Sequence, residues 1–201
     1  MRLTENVTLT LYLVRHGECK GNVEDAAIEP FSNSLTDVGR TQSNRKPPRS
    51  KIVKPDMRIR ERDYTGFIGK TAADCIEVMM GMVRTGSKYL ECQIPNSENT
   101  TQFEDRLISF LSEIIKECKT SQNSEENVLA VSHQFAIQRL MILLNNRAQD
   151  FGIGKWTHNL FSEKLMRNTT FHKIVFEIPR NGSEVTAHVA YPISENTSKE
   201  M

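Results

Sequence analysis

The sequence predicts an α/β fold whose strands end in residues capable of chemistry. An apolar strand at residues 9–14 ends directly at Arg15 and His16. A second apolar strand, at 128–131, ends at His133 and is followed by apolar residues at helical spacing. Because ligands in open α/β folds sit at the carboxyl ends of strands, these two ends are the candidate functional site.

The two strand ends have the composition of an anion site. Arg15 carries a permanent charge and a fork of donors suited to phosphate, and His16 offers a ring nitrogen as a nucleophile. Gly17 leaves the backbone free to turn sharply. The first amides of the helix after His133 point toward negative charge, so a phosphate is the natural occupant. An isolated Arg-His pair is more often a core histidine beside a surface arginine, but the second strand ending favours the functional interpretation.

Apolar spacing predicts the remaining elements. The clearest helix covers residues 103–118, where apolar side chains recur every three or four positions. A second amphipathic helix covers 71–84, and its apolar face is formed by Ile76, Met79, Met80 and Val83. Residues 120–127 are polar without an apolar period and predict a loop. Strands at 171–178 and 185–191, joined by the turn-forming pair Asn181-Gly182, predict an antiparallel hairpin at the edge of the sheet, and the Gly-containing stretch near Trp156 predicts a connection.

Length and composition indicate an ordinary globular protein. The 201 residues are 38% hydrophobic and 25% charged, which predicts one domain over residues 1–192 and a disordered polar tail over 193–201. The net charge of +1 gives no reason to expect nucleic acid or membrane as a partner. No export signal or membrane-spanning stretch is recognisable, so we expect a cytoplasmic protein with four reduced cysteines. The oligomeric state is left open.

Motifs along most of the chain identify a family resemblance. They are Leu13-Val14-Arg15-His16-Gly17-Glu18 with Asn22, Ser34-Leu35-Thr36-Asp37-Val38-Gly39 with Gln42, Glu61, Glu98 with Arg106, and Val131-Ser132-His133. In these residues the chain resembles the histidine phosphatase superfamily, which implies the three-layer α/β/α sandwich of the phosphoglycerate mutase-like type. Within it, residues 60–64 and 168–170 are most similar to the TIGAR-type fructose-2,6-bisphosphatases.

The resemblance implies a mechanism without metal or other cofactor. His16 attacks the phosphoryl group and forms a phosphohistidine, while Arg15, His133 and Asn22 hold the phosphate. Glu61 protonates the leaving oxygen and then activates water. Gln134, which stands where the family has a glycine, is placed at the same phosphate. These residue types meet the physical demands for a neutral nucleophile, fixed donors and an acid.

The implied substrate is a small phosphorylated sugar or glycolytic metabolite. Fructose-2,6-bisphosphate, whose hydrolysis to fructose-6-phosphate lowers glycolytic flux, is the first expectation. A phosphoglycerate mutase or broad-specificity acid phosphatase is the alternative among enzymes. A catalytically impaired protein that binds phosphate is the alternative from another class. The segment 64–98, which follows the acid, is expected to cover the substrate.

One part of the family pattern is missing. Between Gln42 and Asp56 the family has a strand and a Ser-Ser-x-x-x-Arg turn that supplies a second phosphate-binding arginine. Here residues 43–55 are a shortened basic and proline-rich connection, which cannot form a buried strand. Either the chain is a shortened form with a smaller sheet and impaired folding or catalysis, or Arg45 or Arg49 takes the missing role. A solvated linker is the favoured interpretation of this stretch.

Overall fold

The fold is built on one mixed sheet. The computed structural model describes residues 6–24, 32–43, 53–86, 92–157 and 166–191. Its strands are β1 (Asn6–Arg15), β2 (Glu125–Ser132), β3 (Ile153–Thr157), β4 (Phe171–Pro179) and β5 (Val185–Tyr191). Their order is β2-β1-β4-β5-β3, with β1 parallel to β2 and β4 antiparallel to both β1 and β5. The predicted α/β class is confirmed.

Among the described residues, four helices lie between β1 and β2 in the sequence, and a fifth follows β2. They are α1 (Lys20–Val23), α2 (Asp37–Ser43), α3 (Ala72–Arg84), α4 (Thr100–Thr120) and α5 (Gln134–Arg147). Short 3₁₀ turns occupy Met57–Ile59, Thr65–Phe67 and Ala148–Phe151. Capping boxes start α3, with Thr71 and Asp74, and α4, with Asn99 and Gln102.

The core lies between the sheet and helices α4 and α5. Alternate residues of β1, from Val7 to Leu13, are fully buried, as period-two alternation requires. Helix α4 buries the predicted apolar stripe against them. Helix α5 is buried over most of its length, because it runs back from the end of β2 across the same face.

Three details of the sequence interpretation were wrong. Strand β2 begins at Glu125, so the predicted loop at 120–127 is shorter, because α4 continues to Thr120. The hairpin of β4 and β5 is internal rather than at an edge, because the stretch around Trp156 forms strand β3, which pairs with β5. In α3 the side chains of Ile76 and Met80 are exposed.

Helix α3 belongs to a second, smaller apolar cluster. Phe67, Met79, Cys92 and Ile94 are buried together there, and Cys75, Val78 and Met82 of α3 pack against them. The buried face of α3 is therefore rotated from the predicted one. This cluster is formed by the described part of segment 64–98, and Tyr64 packs against its edge.

Strand β2 lies at one end of the described sheet. Within the described residues its neighbour is β1, and the apolar side chains of Leu129 and Val131 are 39% and 54% exposed. Residues 44–52, with Arg45 and Arg49, lie outside the described residues, as does the tail 193–201.

All four cysteines are free thiols. Within the described ranges, no helix combines the length and apolarity needed to cross a bilayer.

Candidate phosphoryl-transfer site

The register of β1 and β2 brings the two predicted histidines together. Arg15 is opposite Ser132, and the amide of His16 continues the ladder by donating to the Ser132 carbonyl at 2.9 Å. The next residue on each strand is therefore a histidine. Their ring centroids are 4.8 Å apart, with the planes tilted by 55°. Parallel pairing of adjacent strands thus produces the convergence expected from the sequence.

The hydrogen bond of His16 identifies its reactive nitrogen. Nδ1 lies 2.6 Å from the Gly17 carbonyl oxygen, which only accepts, so Nδ1 carries the proton. In the neutral ring this leaves the lone pair on Nε2. Burial lowers the pKa of His16, and the positive charge of Arg15 lowers it further, although the bond to Gly17 acts in the opposite direction. His16 is therefore neutral at pH 7, as a nucleophile must be.

His133 stands at the junction of β2 and α5. It occupies the N-cap position of α5 in an extended conformation, without a side-chain capping bond. Burial, followed by the proximity of His16 and Arg15, lowers its pKa to about 4. Both histidines are thus neutral at pH 7, and a bound anion would favour the charged form of either ring.

Arg15 combines a structural and an available donor. One Nη donates to the Met166 carbonyl, which anchors the guanidinium to the segment before β4. The Nε is buried and has no hydrogen-bond partner among the described residues. A buried N–H without a partner is costly, and an anion oxygen would satisfy it.

Asn22, on helix α1, contacts the residues that follow β1 and the segment that precedes β4. Its Oδ1 accepts from the Cys19 amide at 3.0 Å and from the Asn168 side chain at 3.2 Å. The side-chain oxygen is engaged, which leaves the Nδ2 donors for an anion. Asn168 also donates to the His16 carbonyl at 3.0 Å, so it supports both Asn22 and residues 16–19, the predicted nucleophile loop.

The motif around Thr36 and Gln42 supports the nucleophile loop from the other side. The Gln42 side chain accepts from the Glu18 amide at 2.8 Å, and Thr36 donates to the Glu18 carboxylate at 2.7 Å. Gly39 lies so close to this loop that a Cβ there would be 1.9 Å from the Glu18 carbonyl oxygen. A close backbone approach is the physical reason for glycine at this position.

Glu61 lies on the N-terminus of α5. Its carboxylate accepts from the amides of Phe135 at 3.2 Å and Ala136 at 3.1 Å, and also from the Arg62 amide at 2.9 Å. Burial raises the pKa of Glu61, and these three donors oppose the rise. The negative charge at the start of α5 is thus the Glu61 carboxylate, not directly the phosphate expected there from the sequence. A raised pKa suits a group that delivers a proton near neutral pH.

The other predicted residues surround this arrangement. Gln134 is the first residue of α5 and is half-buried beside His133. Tyr64 stacks on Phe67 and meets the Phe135 ring edge-on, with centroids 5.9 Å apart. This contact joins segment 64–98 to α5, whose first amides donate to the Glu61 carboxylate.

Two supporting residues had no role in the sequence interpretation. Asn168 and Thr169 entered the sequence analysis only through the family resemblance of residues 168–170. Thr169 adopts a left-handed φ of 62°, and its amide donates to the Arg15 carbonyl at 2.9 Å. Their long separation from His16 in sequence gives no local signal of contact. The described ranges contain no group of three or more His, Cys, Asp or Glu side chains placed to hold a metal ion.

Solved structures share this fold. A structure described as mycobacterial hydrolase 1 is 18% identical with a TM-score of 0.66, and the alignment covers 92% of this chain and 98% of that one. A mycobacterial glucosyl-3-phosphoglycerate phosphatase is 18% identical with a TM-score of 0.62, covering 91% and 97%. YhfR of Bacillus stearothermophilus is 21% identical with a TM-score of 0.64, covering 94% and 98%. At these identities the likeness concerns the fold.

The sequence comparisons define the family. A search of curated proteins finds no match. The sequence model of the histidine phosphatase superfamily, branch 1, matches residues 47–162. That range includes Glu61 and His133 and begins after the His16 motif, which the structure places beside them. This chain belongs to the histidine phosphatase superfamily.

Proposed function

We propose that this protein hydrolyses phosphomonoesters through a phosphohistidine formed at His16. The observation that carries the proposal is the geometry of His16, whose Nδ1 proton is held by Gly17 while the ring lies against His133. The free Nε2 lone pair is the nucleophile. Arg15, Asn22, Gln134 and His133 are the proposed contacts of the phosphoryl oxygens.

The chemistry proceeds in two balanced steps. In the first, Nε2 of His16 bonds to phosphorus while the bond from phosphorus to the ester oxygen breaks, and Glu61 gives its proton to that oxygen. In the second, Glu61 takes a proton from water as the water oxygen bonds to phosphorus. The bond between phosphorus and His16 then breaks, which releases phosphate and regenerates the free ring. No oxidant, reductant or other co-reactant is needed.

Trapping the intermediate tests the reaction. The protein is mixed with a phosphomonoester, quenched in alkali to preserve phosphohistidine, and digested for peptide mass spectrometry. We expect label on His16, none in the His16→Gln variant, and retained label in the His188→Gln variant, where an exposed histidine of β5 is replaced. Label on His133 without label on His16 would overturn the assignment.

We propose fructose-2,6-bisphosphate as the first substrate to test. The support is the resemblance of residues 60–64 and 168–170 to the TIGAR-type enzymes, and Asn168 contacts Asn22 and the His16 loop. A panel should compare it with other sugar phosphates, and with 3-phosphoglycerate in the presence and absence of a bisphosphate cofactor. Cofactor-dependent isomerisation would identify a mutase, and binding without turnover would identify a phosphate-binding protein.

A further inference from the structure

The backbone around Glu61 is held by one side chain of α4. Arg106 donates from Nη1 to the carbonyls of Arg58 and Arg60, at 2.6 and 2.9 Å, and from Nη2 to the carbonyl of Glu61 at 3.0 Å. The intervening carbonyl, of Ile59, accepts from the Ser132 hydroxyl at 2.6 Å. Four consecutive carbonyls thus receive side-chain donors. Residues 60–64 form neither helix nor strand, so these bonds replace the regular hydrogen bonds that would otherwise fix this segment.

Arg106 is itself held rigidly. Its Nε donates to Glu98 Oε1 at 2.6 Å and its Nη2 to Glu98 Oε2 at 2.8 Å, which is a bidentate ion pair. The two side chains are 13% and 8% exposed, so water screens the pair little. The guanidinium also lies over the Phe103 ring, 4.7 Å from its centroid. Glu98 Oε2 accepts in addition from the Asp63 amide, so the pair contacts the segment on both sides of Glu61.

We propose that Arg106 is a positioning residue for Glu61, and that its bonds to the backbone fix the carboxyl group at the point where it protonates the leaving oxygen. The inference rests on the proposed function. Arg106 acts through the Glu61 backbone, whereas its guanidinium donors are used by carbonyls and by Glu98. Displacing a reacting group by about 1 Å costs on the order of a hundredfold in rate, so this bracing has a kinetic effect.

Leaving-group dependence separates positioning from simple stability. An alkyl phosphate needs a proton on its leaving oxygen, whereas nitrophenolate departs without one. We therefore expect Arg106→Gln to lower kcat/KM for an alkyl phosphate by about tenfold or more and for nitrophenyl phosphate by less than about twofold. The ratio kcat/KM is the correct measure, because it reports the steps up to release of the alcohol and excludes the later hydrolysis of phosphohistidine.

A matched control is available on α5. Arg139 is also buried and also forms an ion pair with a glutamate, Glu104, and this pair joins α5 to α4. The Arg139→Gln variant should lose stability and change kcat/KM for the two substrates by the same factor. A double variant, Arg106→Gln with Glu61→Gln, should act on the alkyl phosphate no more slowly than Glu61→Gln alone, because both remove the same proton delivery.

Each outcome decides the inference. Equal losses on the two substrates, or additive losses in the double variant, would overturn the role of Arg106. If Arg106→Gln does not fold, Arg106→Lys and Glu98→Gln replace it, since each keeps part of the network and should show the same selective loss on the alkyl phosphate. If the wild-type protein turns over neither substrate, the proposed function is overturned. If the wild-type protein is active and the Arg106 variant loses activity equally on both substrates, only the role of Arg106 is overturned.

Discussion

Gly39 shows how a single position controls the nucleophile loop. A Cβ at this residue would overlap the Glu18 carbonyl, and the clash is with backbone that cannot rotate away. We expect Gly39→Ala to lower the free energy of unfolding by about 1–3 kcal/mol, as overpacking does. Urea denaturation of the variant and the wild type measures this difference.

Gly81 provides the control. It lies within α3, and a Cβ there has no heavy atom within 4 Å among the described residues. Because alanine is the better helix former, Gly81→Ala should raise the free energy of unfolding by about 0.5–1 kcal/mol. If Gly39→Ala is as stable as the wild type or more stable, the close approach at Gly39 does not constrain the loop.

Glu61 is the residue whose replacement should affect the chemistry most selectively. Glu61→Gln keeps the shape of the side chain and removes the transferable proton. We expect kcat/KM for an alkyl phosphate to fall by roughly a hundredfold or more, with substrate binding largely retained. Steady-state kinetics and equilibrium binding of inorganic phosphate check the two halves of this expectation. An unchanged rate on the alkyl phosphate would show that another group supplies the proton.

At the residue scale, the sequence predicted the groups with reactive side chains better than those that support them. His16 and His133 were predicted together because each ends a strand, and parallel pairing brings them into contact. Arg106 was matched only as part of a motif, since its role depends on carbonyls 45 to 48 positions away. A backbone acceptor has no sequence signature, so such contacts can only be read from the fold.

At the scale of elements, the predictions made from strong apolar periodicity were correct, and those made where the periodicity was weak or absent were wrong. Helix α4 follows its apolar stripe, whereas the short strand β3 has Gly154 and exposed Lys155 within its five residues and lacks a strand pattern. Its pairing with β5 depends on partners far along the chain. In α3 the methionines fit two overlapping faces, and the contacts with Phe67 and Ile94 select the buried one.

The junction of β2 and α5 should make stability depend on pH. The unfolded chain takes up a proton on His133 near its ordinary pKa of 6.5, whereas the folded protein does so near 4. Between these values the unfolded state binds more protons, so the free energy of unfolding falls as the pH decreases from 6.5 to 4. The loss approaches about 3 kcal/mol, and the full stability is present above pH 6.5.

Chemical denaturation at a series of pH values tests this expectation. The His133→Gln variant should lose most of the decline between pH 6.5 and 4, while His188→Gln, on the exposed face of β5, should retain it. In all three proteins Glu61, whose pKa is raised by burial, acts in the opposite direction, and His16, whose pKa is lowered by burial, acts in the same direction as His133. The comparison between variants therefore isolates His133. Parallel curves for wild type and His133→Gln would contradict the expectation.

At the scale of the whole molecule, the end of the sheet at β2 is where we expect this chain to differ most from the family pattern. The strand that carries His133 leaves Leu129 and Val131 exposed, and its single described neighbour is β1. Exposed edge strands are a liability for stability and for association. If residues 43–55 lack the family strand, as their sequence predicts, we expect buried apolar surface to be lost here, at roughly 25 cal/mol per Å².

Restoring the segment separates its two proposed contributions. We expect a graft of the family's strand and Ser-Ser-x-x-x-Arg turn between Gln42 and Asp56 to raise the melting temperature and to increase turnover at least about tenfold, which corresponds to about 1.4 kcal/mol of barrier. The same graft with its arginine replaced by alanine should keep the stability and lose the rate. The reason is that the strand buries apolar surface, whereas the arginine makes charge-assisted hydrogen bonds to the transferred phosphoryl group.

Calorimetry and steady-state kinetics on the three proteins measure both quantities. If the native chain melts cooperatively as high as the graft and turns over as fast, its own connection supplies the missing functions, and Arg45→Ala and Arg49→Ala variants would then identify the arginine that does so.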